Sequence, residues 1–262
     1  MSDRYAVIGN PVAHSKSPWI HARFARQTGQ ELEYGSIEAP LDGFAAAVDE
    51  FRAAGGRGLN VTLPFKEQAR RYCRRVSPRA AQVANTLAFD DGVFGDNTDG
   101  VGLVRDLSVN LGVRLRGKSV LLMGAGGAAQ GVVGALLEAG VGRLVIANRT
   151  LVRAQQLAAQ FPGVSAAGYA ALAGRFDVVV NATSAGLKGE GPELPRGVLA
   201  KGTLAYDMVY GRETPFLAAA RAAGARVSDG LGMLVEQAAE SFLIWRGVRP
   251  DTRPVLEELR GG

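Results

Sequence analysis

The stretch SVLLMGAGGAAQGVVGALL, residues 119–137, runs from an apolar segment through a glycine cluster into a second apolar segment. This order predicts a β-strand, a tight turn and a helix. Gly124, Gly126 and Ala129 fit the spacing G-x-G-x-x-G/A, in which the first glycine allows the turn and the second lets the backbone approach a pyrophosphate. The stretch therefore predicts a dinucleotide site, and a glycine-rich turn without a ligand is the alternative.

The strand that follows this motif indicates which dinucleotide is bound. Folds that prefer NAD place Asp or Glu about 20 residues after the glycines, where it holds the ribose 2′-hydroxyl. Here the apolar run VIAN leads into Asn148, Arg149 and Thr150, and Arg153 follows shortly after. A guanidinium at this place would pair with a 2′-phosphate, so the sequence predicts NADP. An exposed arginine at a helix start is the alternative interpretation.

The same 19 residues, 119–137, carry no charged side chain, and this is about the length of a transmembrane helix. The glycine cluster and Gln130 favour a strand, a turn and a helix instead. No signal peptide is visible before the strand-like run YAVIGN, Tyr5 to Asn10. We therefore expect a cytoplasmic protein.

Strand-like and helix-like runs alternate along the chain, which predicts an α/β fold. Between about Gly100 and Gly230 the strands are nearly all apolar, as in a parallel sheet covered on both faces. An amphipathic run from Met233 to Gly247 is too short to be a domain, so it must pack on another part of the chain. The strands predicted between Gly100 and Gly230 are Ser119–Met123, Arg143–Asn148, Asp177–Thr183 and Thr203–Val209.

The first hundred residues contain three further local signals. Ser17 is typical of a helix N-cap, with Pro18 at the first helical position. Asp91 and Gly92 lie between apolar residues and predict a hairpin. A basic cluster is interpreted as the solvated face of a helix rather than as a polyanion site. The cluster consists of Arg70, Arg71, Arg74 and Arg75.

Composition limits the classes of function. The 262-residue chain has a formal net charge of +5 and only 7% aromatic residues, so it lacks the aromatic-interleaved basic stripe of nucleic-acid binding. Cys73 is the single cysteine, which excludes an intrachain disulfide and a cysteine-based zinc site. With only His14 and His21 as further nitrogen ligands, we predict no metal site. A mildly basic surface would help to attract an anionic substrate and cofactor.

Short polar residues recur at predicted strand ends and loops of the first half, and Lys66 lies among them. Hydroxyls and amides can bind both carboxylates and other hydroxyls, so these residues suit a polyhydroxylated carboxylate. Each also has a local interpretation, as a helix cap or a turn former. The sets are Ser15 and Ser17, Asn60 and Thr62, Asn85 and Thr86, and Asn97 to Asp99.

Nine short segments between Gly9 and about Gly247 together carry a family resemblance. They are GNPVAHSKSP, NVTLPFK, NTL, GDNTDGVG, GAGGAA, NRT, NATSAG, YDMVY and DGLGMLVEQAA. In these segments and their order the chain resembles the shikimate dehydrogenases. The resemblance implies an oxidoreductase for the reversible, NADPH-dependent reduction of 3-dehydroshikimate to shikimate, in chorismate and aromatic amino acid biosynthesis.

The resemblance also implies roles for individual residues. Lys66 would be the catalytic acid/base, paired with Asp99. Shikimate would contact Ser15, Ser17, Asn60, Thr62, Asn85, Asp99, Tyr210 and Gln237. NADP would contact Gly124, Ala125, Gly126, Gly127, Ala128, Asn148, Arg149, Thr150, Arg153, Thr183, Met208 and Gly230.

Two α/β domains with a cleft between them are the architecture that the resemblance implies. Residues 1–99 would form the substrate domain together with 231–262, because the last helix returns to it, and residues 100–230 would form a Rossmann-type, doubly wound NADP domain. The chain departs from the family at Pro78, where a carboxylate near the nicotinamide is common. The expected partner is a small molecule, without nucleic acid or membrane, and the chain could be a monomer or a homodimer.

Two other functions stay open from the sequence. A quinate/shikimate dehydrogenase that uses NAD is disfavoured by Arg149 and by the paired serines. A non-catalytic NADP-binding sensor on the same fold is expected to lack Lys66 or Asp99, and the chain has both. Burial would favour the neutral amine of Lys66 and a neighbouring carboxylate would favour its ammonium form, and the sequence does not decide between them.

Overall fold

Two six-stranded sheets, each in its own compact unit, form the framework of the chain in the computed structural model. The structure describes residues 2–189, 191 and 193–261. The first unit runs as far as Leu103 and resumes at Leu234, and the second unit spans Val104–Met233. Strands and helices alternate through both units, so the predicted α/β class is confirmed.

The first unit is built on a mixed sheet. Its elements as far as the unit boundary are β1 (Asp3–Gly9), α1 (Ser17–Thr28), β2 (Leu32–Glu38), α2 (Phe44–Ala53), β3 (Gly56–Val61), α3 (Lys66–Tyr72), β4 (Arg75–Val76), β5 (Thr86–Ala88), β6 (Phe94–Asp96) and α4 (Asp99–Arg105). The strand order is β2-β1-β3-β5-β6-β4. β1 is parallel to β2 and β3, whereas β5 is antiparallel to β3 and β6. The predicted hairpin at Gly92 joins β5 to β6.

Apolar side chains from the central strands and from α2 form the core on one face of this sheet. Ile8 and Leu59 are fully buried on neighbouring strands, and Phe44 and Val48 of α2 pack in the same cluster. The spacing of Phe44 and Val48 places both on one face of the helix, as the sequence indicates. This core fixes the strand ends that carry the polar residues described below.

The second unit has a doubly wound parallel sheet. Its elements are β7 (Ser119–Met123), α5 (Gly127–Gln130), α6 (Val133–Glu138), β8 (Arg143–Ala147), α7 (Leu151–Ala158), β9 (Ser165–Ala167), β10 (Val178–Asn181), β11 (Leu204–Asp207), α8 (Pro215–Ala222) and β12 (Arg226–Ser228). The strand order is β12-β11-β10-β7-β8-β9, and every neighbouring pair is parallel. This order confirms the Rossmann-type fold predicted from the glycine motif.

The chain ends in two helices, α9 (Leu231–Arg246) and α10 (Thr252–Gly261). From Leu234 onward they belong to the first unit, so the predicted return of the C-terminal helix is confirmed. Trp245 anchors α9, because its indole Nε1 donates to the Leu87 carbonyl at 2.9 Å and its ring stacks on Tyr5. The sequence did not indicate α10 as a separate helix.

The structure differs from the sequence-based expectation along the second unit in two ways. The strands β9 and β12 are only three residues long and partly exposed, so they lack the apolar runs that identified the other four. The helix expected after the glycine turn is divided into α5 and α6. At the break the Val132 N–H bonds to the Ala129 carbonyl, three residues back, as in a 3₁₀ turn. Gly131 lies at this break, and glycine has a low helix propensity.

Two local predictions in the first unit are wrong. Lys16, not Ser17, is the N-cap of α1, and the Ser15 hydroxyl accepts the Ser17 N–H at 3.2 Å. The basic cluster does not lie on one helix, because α3 ends at Tyr72 and Cys73 is extended. Arg75 already belongs to β4. Within the described part of the chain, no helix combines the length and the apolar character needed to cross a membrane.

A buried histidine lies in the aromatic core of the first unit. His21 is fully buried, and its ring stacks on Tyr34 with centroids 4.1 Å apart and planes 5° apart. Among the described residues, neither ring nitrogen has a hydrogen-bond partner. Burial lowers the pKa of His21 from 6.5 to about 3, and the nearby Asn60, outside hydrogen-bonding geometry, opposes this only in part. His21 is therefore neutral in the folded protein at ordinary pH.

We expect His21 to make the protein less stable in mild acid. Between pH 6.5 and about 3 the unfolded chain binds a proton that the folded chain does not, so the free energy of unfolding falls as the pH falls. One such group contributes up to about 1.4 kcal/mol per pH unit. His21→Phe should reduce this slope in urea unfolding at pH 4 to 7. The exposed His14, replaced by Asn, is the control, and parallel curves for wild type and His21→Phe would contradict the prediction.

Candidate active site

Lys66 and Asp99 form a close ion pair in the first unit. Lys66 begins α3 and Asp99 begins α4, and the distance from Lys66 Nζ to Asp99 Oδ2 is 2.6 Å. Their side chains are only 14% and 7% exposed. The turn after β3 places Lys66, because the Phe65 N–H bonds to the Thr62 carbonyl and the Phe65 ring is fully buried. The pairing implied by the resemblance is therefore present in the geometry.

Asn85 holds the second oxygen of the Asp99 carboxylate. The Asn85 Nδ2 donates to Asp99 Oδ1 at 2.9 Å, while the Thr98 N–H donates to Asn85 Oδ1 at 2.8 Å. Because a backbone N–H can only donate, it fixes which end of the carboxamide faces Asp99. The Asp99 N–H in turn donates to Asn97 Oδ1 at 3.0 Å. The carboxylate is thus ordered from both sides.

The helix α9 brings Gln237 to the same place from the far end of the chain. Gln237 Oε1 lies 3.3 Å from Asn85 Nδ2, and its Nε2 donates to the Leu234 carbonyl at 2.9 Å. Its side chain is 9% exposed. Four of the predicted site residues are therefore connected by hydrogen bonds, namely Lys66, Asn85, Asp99 and Gln237.

Asn60 is buried in an adjoining set of hydrogen bonds. Its Nδ2 donates to Ser241 Oγ at 2.9 Å, and its Oδ1 accepts the Tyr34 hydroxyl at 2.7 Å. Burial raises the pKa of Tyr34 well above its ordinary value, and the neighbouring Ser17 opposes this. Thr62 follows the end of β3 and is partly buried, with its methyl group close to Gly9. The structure thus places Asn60 near Ser17 through Tyr34.

The structure adds two polar residues that the sequence did not indicate, Tyr34 and Ser241, and gives Thr98 of the predicted Asn97 to Asp99 set a defined role. Tyr34 lies within a strand, Thr98 lies inside the turn-forming Asn97 to Asp99 segment, and Ser241 lies on a helix 181 residues from its partner Asn60. The spacing of Gln237 and Ser241 on one helix face could have indicated Ser241. Tyr34 has no comparable signal in the sequence. Tyr210, a predicted substrate residue, follows β11 in the second unit.

The glycine turn of the second unit has the shape that a pyrophosphate needs. Gly124 has φ of +108°, and a Cβ there would lie 3.1 Å from the Ala182 carbonyl oxygen, so only glycine fits. At Gly126 a Cβ would meet nothing within 4 Å, so the backbone faces open space. Ala125 and Ala128 are partly buried, and Gly127 begins α5. These residues could hold the phosphates of a dinucleotide.

The segment after β8 presents two arginines without acidic partners. Arg149 and Arg153 are exposed, and among the described residues neither forms an ion pair with a carboxylate. Asn148 orders the turn because its Nδ2 donates to the Thr150 carbonyl at 2.9 Å. Unpaired guanidiniums at the start of α7 are suited to a phosphate. The donor set therefore fits the 2′-phosphate of NADP.

Buried contacts fix the positions of Thr183 and Met208 at the ends of β10 and β11. The Thr183 hydroxyl donates to Asn181 Oδ1 at 2.7 Å, and Asn181 Nδ2 donates to Asp207 Oδ2 at 3.1 Å. Burial raises the pKa of Asp207 above its ordinary value. A Cβ at Gly230 would lie 2.3 Å from the Met208 carbonyl oxygen, so glycine is required for this close approach.

Among the described residues, the side chains that could bind a metal or act as a thiol nucleophile form no second site. Across residues 2–189, 191 and 193–261, no cluster of His, Cys, Asp and Glu could hold a metal ion. Cys73 packs against Gly95, and burial raises the pKa of its thiol to about 11. Cys73 is therefore suited to packing rather than to reaction as a thiolate.

Family models match three parts of the chain. Residues 7–87 match the shikimate dehydrogenase substrate binding domain, residues 107–188 match shikimate/quinate 5-dehydrogenase, and residues 230–260 match the shikimate 5′-dehydrogenase C-terminal domain. The shikimate dehydrogenase (NADP⁺) of Methylobacillus flagellatus is 60% identical, over 98% of this chain and 99% of its own length.

Solved structures of similar proteins match nearly the whole chain. An Ael1 enzyme from Pseudomonas putida is 52% identical with a TM-score of 0.93, over 98% of each chain. Shikimate 5-dehydrogenase from Thermus thermophilus, crystallised with NADP(H) and shikimate, is 37% identical with a TM-score of 0.88, over 99% of each chain.

Proposed function

Because the chain belongs to the shikimate dehydrogenase family, we propose that it interconverts 3-dehydroshikimate and shikimate with NADP(H). It is an NADP-dependent oxidoreductase, and its reaction belongs to aromatic amino acid biosynthesis. The observation that carries the proposal is the buried 2.6 Å pair of Lys66 and Asp99, ordered by Asn85. A proton donor held in this way is what reduction of a ketone requires from the protein.

The two units divide the work in this proposal. The first unit holds the substrate, through hydroxyls and amides that suit its carboxylate and ring hydroxyls. The residues proposed for this contact are Ser15, Ser17, Asn60, Thr62, Asn85, Asp99, Tyr210 and Gln237, of which Tyr210 lies in the second unit. Asn60 is 5% exposed and bonded at both ends of its amide, so its part is chiefly to order neighbouring residues.

The second unit holds the cofactor. The open backbone at Gly126 would receive the pyrophosphate, and Arg149 with Arg153 would receive the 2′-phosphate. Thr183, Met208 and Gly230 would line the remainder of the cofactor site. When bound, NADPH supplies the hydride that the protein itself lacks.

Lys66 is the proton donor and acceptor of the reaction. Its ammonium group donates a proton to the ketone oxygen during reduction, and its amine takes the proton back from the hydroxyl during oxidation. Asp99 holds Nζ through Oδ2 and stabilises the ammonium form, while Asn85 keeps the carboxylate in place through Oδ1. The low exposure of both side chains limits exchange of this proton with solvent.

The two alternative functions are less well supported. A non-catalytic sensor would not require a buried, ordered Lys66–Asp99 pair, because binding alone needs no proton donor. Exposed arginines after β8 are not required to bind NAD, which lacks the 2′-phosphate. The curated relatives with 55–60% identity are also named NADP-dependent. Both alternatives can be tested with the wild-type protein.

We expect the purified protein to oxidise shikimate with NADP⁺ at least about tenfold more efficiently than with NAD⁺. The measurement is kcat/KM for shikimate and for quinate with each nicotinamide, followed by absorbance of the reduced cofactor. NADP⁺ binding without turnover of shikimate would instead support the non-catalytic sensor. Equal efficiency on quinate with NAD⁺ would establish the broader dehydrogenase instead.

We also propose that the enzyme is cytoplasmic, works as a monomer or homodimer, and needs no membrane or nucleic-acid partner. The small-molecule substrate and the family support this proposal. Light scattering of the purified protein gives the oligomeric state, and a larger assembly would contradict it.

A further inference from the structure

Three buried hydroxyl groups meet behind the Lys66–Asp99 pair. Thr86 of β5, Thr98 before α4 and Ser241 of α9 are 1%, 0% and 0% exposed. Thr86 Oγ1 lies 2.8 Å from Ser241 Oγ, and Thr98 Oγ1 lies 3.2 Å from Ser241 Oγ. We call these residues the hydroxyl triad. Their hydroxyls are bonded to neighbouring protein groups.

Two members of the hydroxyl triad, Thr86 and Thr98, converge on one atom, the carboxamide oxygen of Asn85, and Ser241 contacts both of them. Thr86 Oγ1 donates to Asn85 Oδ1 at 2.9 Å, and Thr98 reaches the same oxygen with its hydroxyl at 3.1 Å and its N–H at 2.8 Å. These donors hold the oxygen on the triad side. The amino end of the carboxamide is therefore turned toward Asp99.

One path of hydrogen bonds through the triad can run in a single direction. Asn60 Nδ2 donates to Ser241 Oγ at 2.9 Å, Ser241 can donate to Thr86, and Thr86 donates to Asn85 Oδ1. Asn85 Nδ2 then donates to Asp99 Oδ1 at 2.9 Å. A chain in which each donor is also an acceptor polarises its members in the same sense. Its far end is the carboxylate that holds Lys66.

We propose that the hydroxyl triad positions the Lys66–Asp99 pair for proton transfer by locking the orientation of Asn85. The inference rests on the proposed function, in which this pair handles the proton. Without the triad hydroxyls, only the Thr98 N–H still holds the Asn85 oxygen, so the carboxamide is oriented less firmly and the Asp99 carboxylate loses part of its ordering. Thr86, Thr98 and Ser241 are thus positioning residues that act through Asn85.

The test compares variants that remove a hydroxyl with one that keeps it. Thr98→Val removes the hydroxyl at nearly constant shape, and Thr98→Ser retains it. We expect Thr98→Val and Ser241→Ala to lower kcat about 5- to 20-fold with KM for shikimate within about twofold, and Thr98→Ser to keep at least half of the wild-type kcat. The pH profile of kcat should move in Thr98→Val but not in Thr98→Ser. If Thr98→Val fails to fold, Ser241→Ala and Thr98→Ser still give the comparison.

A double variant separates positioning from a general packing defect. If Thr98 acts through Asn85, then Thr98→Val should lower kcat by less than about twofold further in an Asn85→Ala background. Full additivity of the two losses, or wild-type kcat in both Thr98→Val and Ser241→Ala, would overturn the inference. A wild-type kcat in Lys66→Arg would instead overturn the proposed function, so the two failures are distinguishable.

Discussion

Lys66→Arg is expected to lower kcat for shikimate oxidation by about 10²- to 10⁴-fold, the usual contribution of general acid–base catalysis. The guanidinium keeps the positive charge beside Asp99, so the ion pair and the fold are retained. It cannot give up a proton at any ordinary pH, and the proton transfer is therefore lost. KM for shikimate should change by less than about threefold, because the charge that faces the substrate is unchanged.

Two controls make this result specific. Lys201→Arg is the matched replacement at an exposed lysine of the second unit and should leave kcat unchanged. Lys66→Met removes the charge as well, so it should also destabilise the protein by leaving a buried carboxylate without its cation. If Lys66→Arg turned over shikimate at the wild-type rate, Lys66 would be a structural cation and the proton would come from another group.

Arg149→Ala is expected to raise KM for NADP⁺ by about 10- to 100-fold while leaving KM for NAD⁺ within about threefold. The reason is the loss of a charge-assisted hydrogen bond to the 2′-phosphate, which contributes about 1.5–3 kcal/mol. NAD⁺ lacks that phosphate, so its binding does not depend on the guanidinium. The measurement is initial rates with saturating shikimate and each nicotinamide, and Arg153→Ala should act in the same direction.

Arg196→Ala is the control for this prediction, because Arg196 is likewise exposed in the second unit but lies far along the chain from β8. Its KM values for both nicotinamides should equal those of the wild type. An equal rise of KM for NADP⁺ and NAD⁺ in Arg149→Ala would show that Arg149 supports the loop rather than the 2′-phosphate.

The Rossmann-type sheet could be predicted because its physical requirements appear in local sequence. A strand covered on both faces must be apolar, so β7, β8, β10 and β11 were found within one or two residues of their ends. A turn with positive φ needs glycine, so Gly124 marked the dinucleotide loop. The short strands β9 and β12 are partly exposed and carry no such pattern.

The candidate site was harder to predict because its order comes from distant residues. The motif segments named Lys66, Asn85 and Asp99, but no pattern near them indicates that Ser241 completes their hydrogen bonds. A buried polar side chain is stable only with its partners, and those partners can come from any element that packs nearby. The same limit explains the wrong N-cap, since Ser17 and Ser15 are equivalent by composition and differ only in the turn they occupy.

The return of α9 to the first unit bears on the order in which the protein is made. All residues of the second unit, Val104–Met233, leave the ribosome before Leu234, so the first unit lacks Gln237 and Ser241 until the second unit has been synthesised. Domains commonly form in the order of synthesis. The second unit is therefore begun second but completed first. A chain that stops prematurely after Met233 contains the whole dinucleotide-binding unit but an incomplete substrate unit.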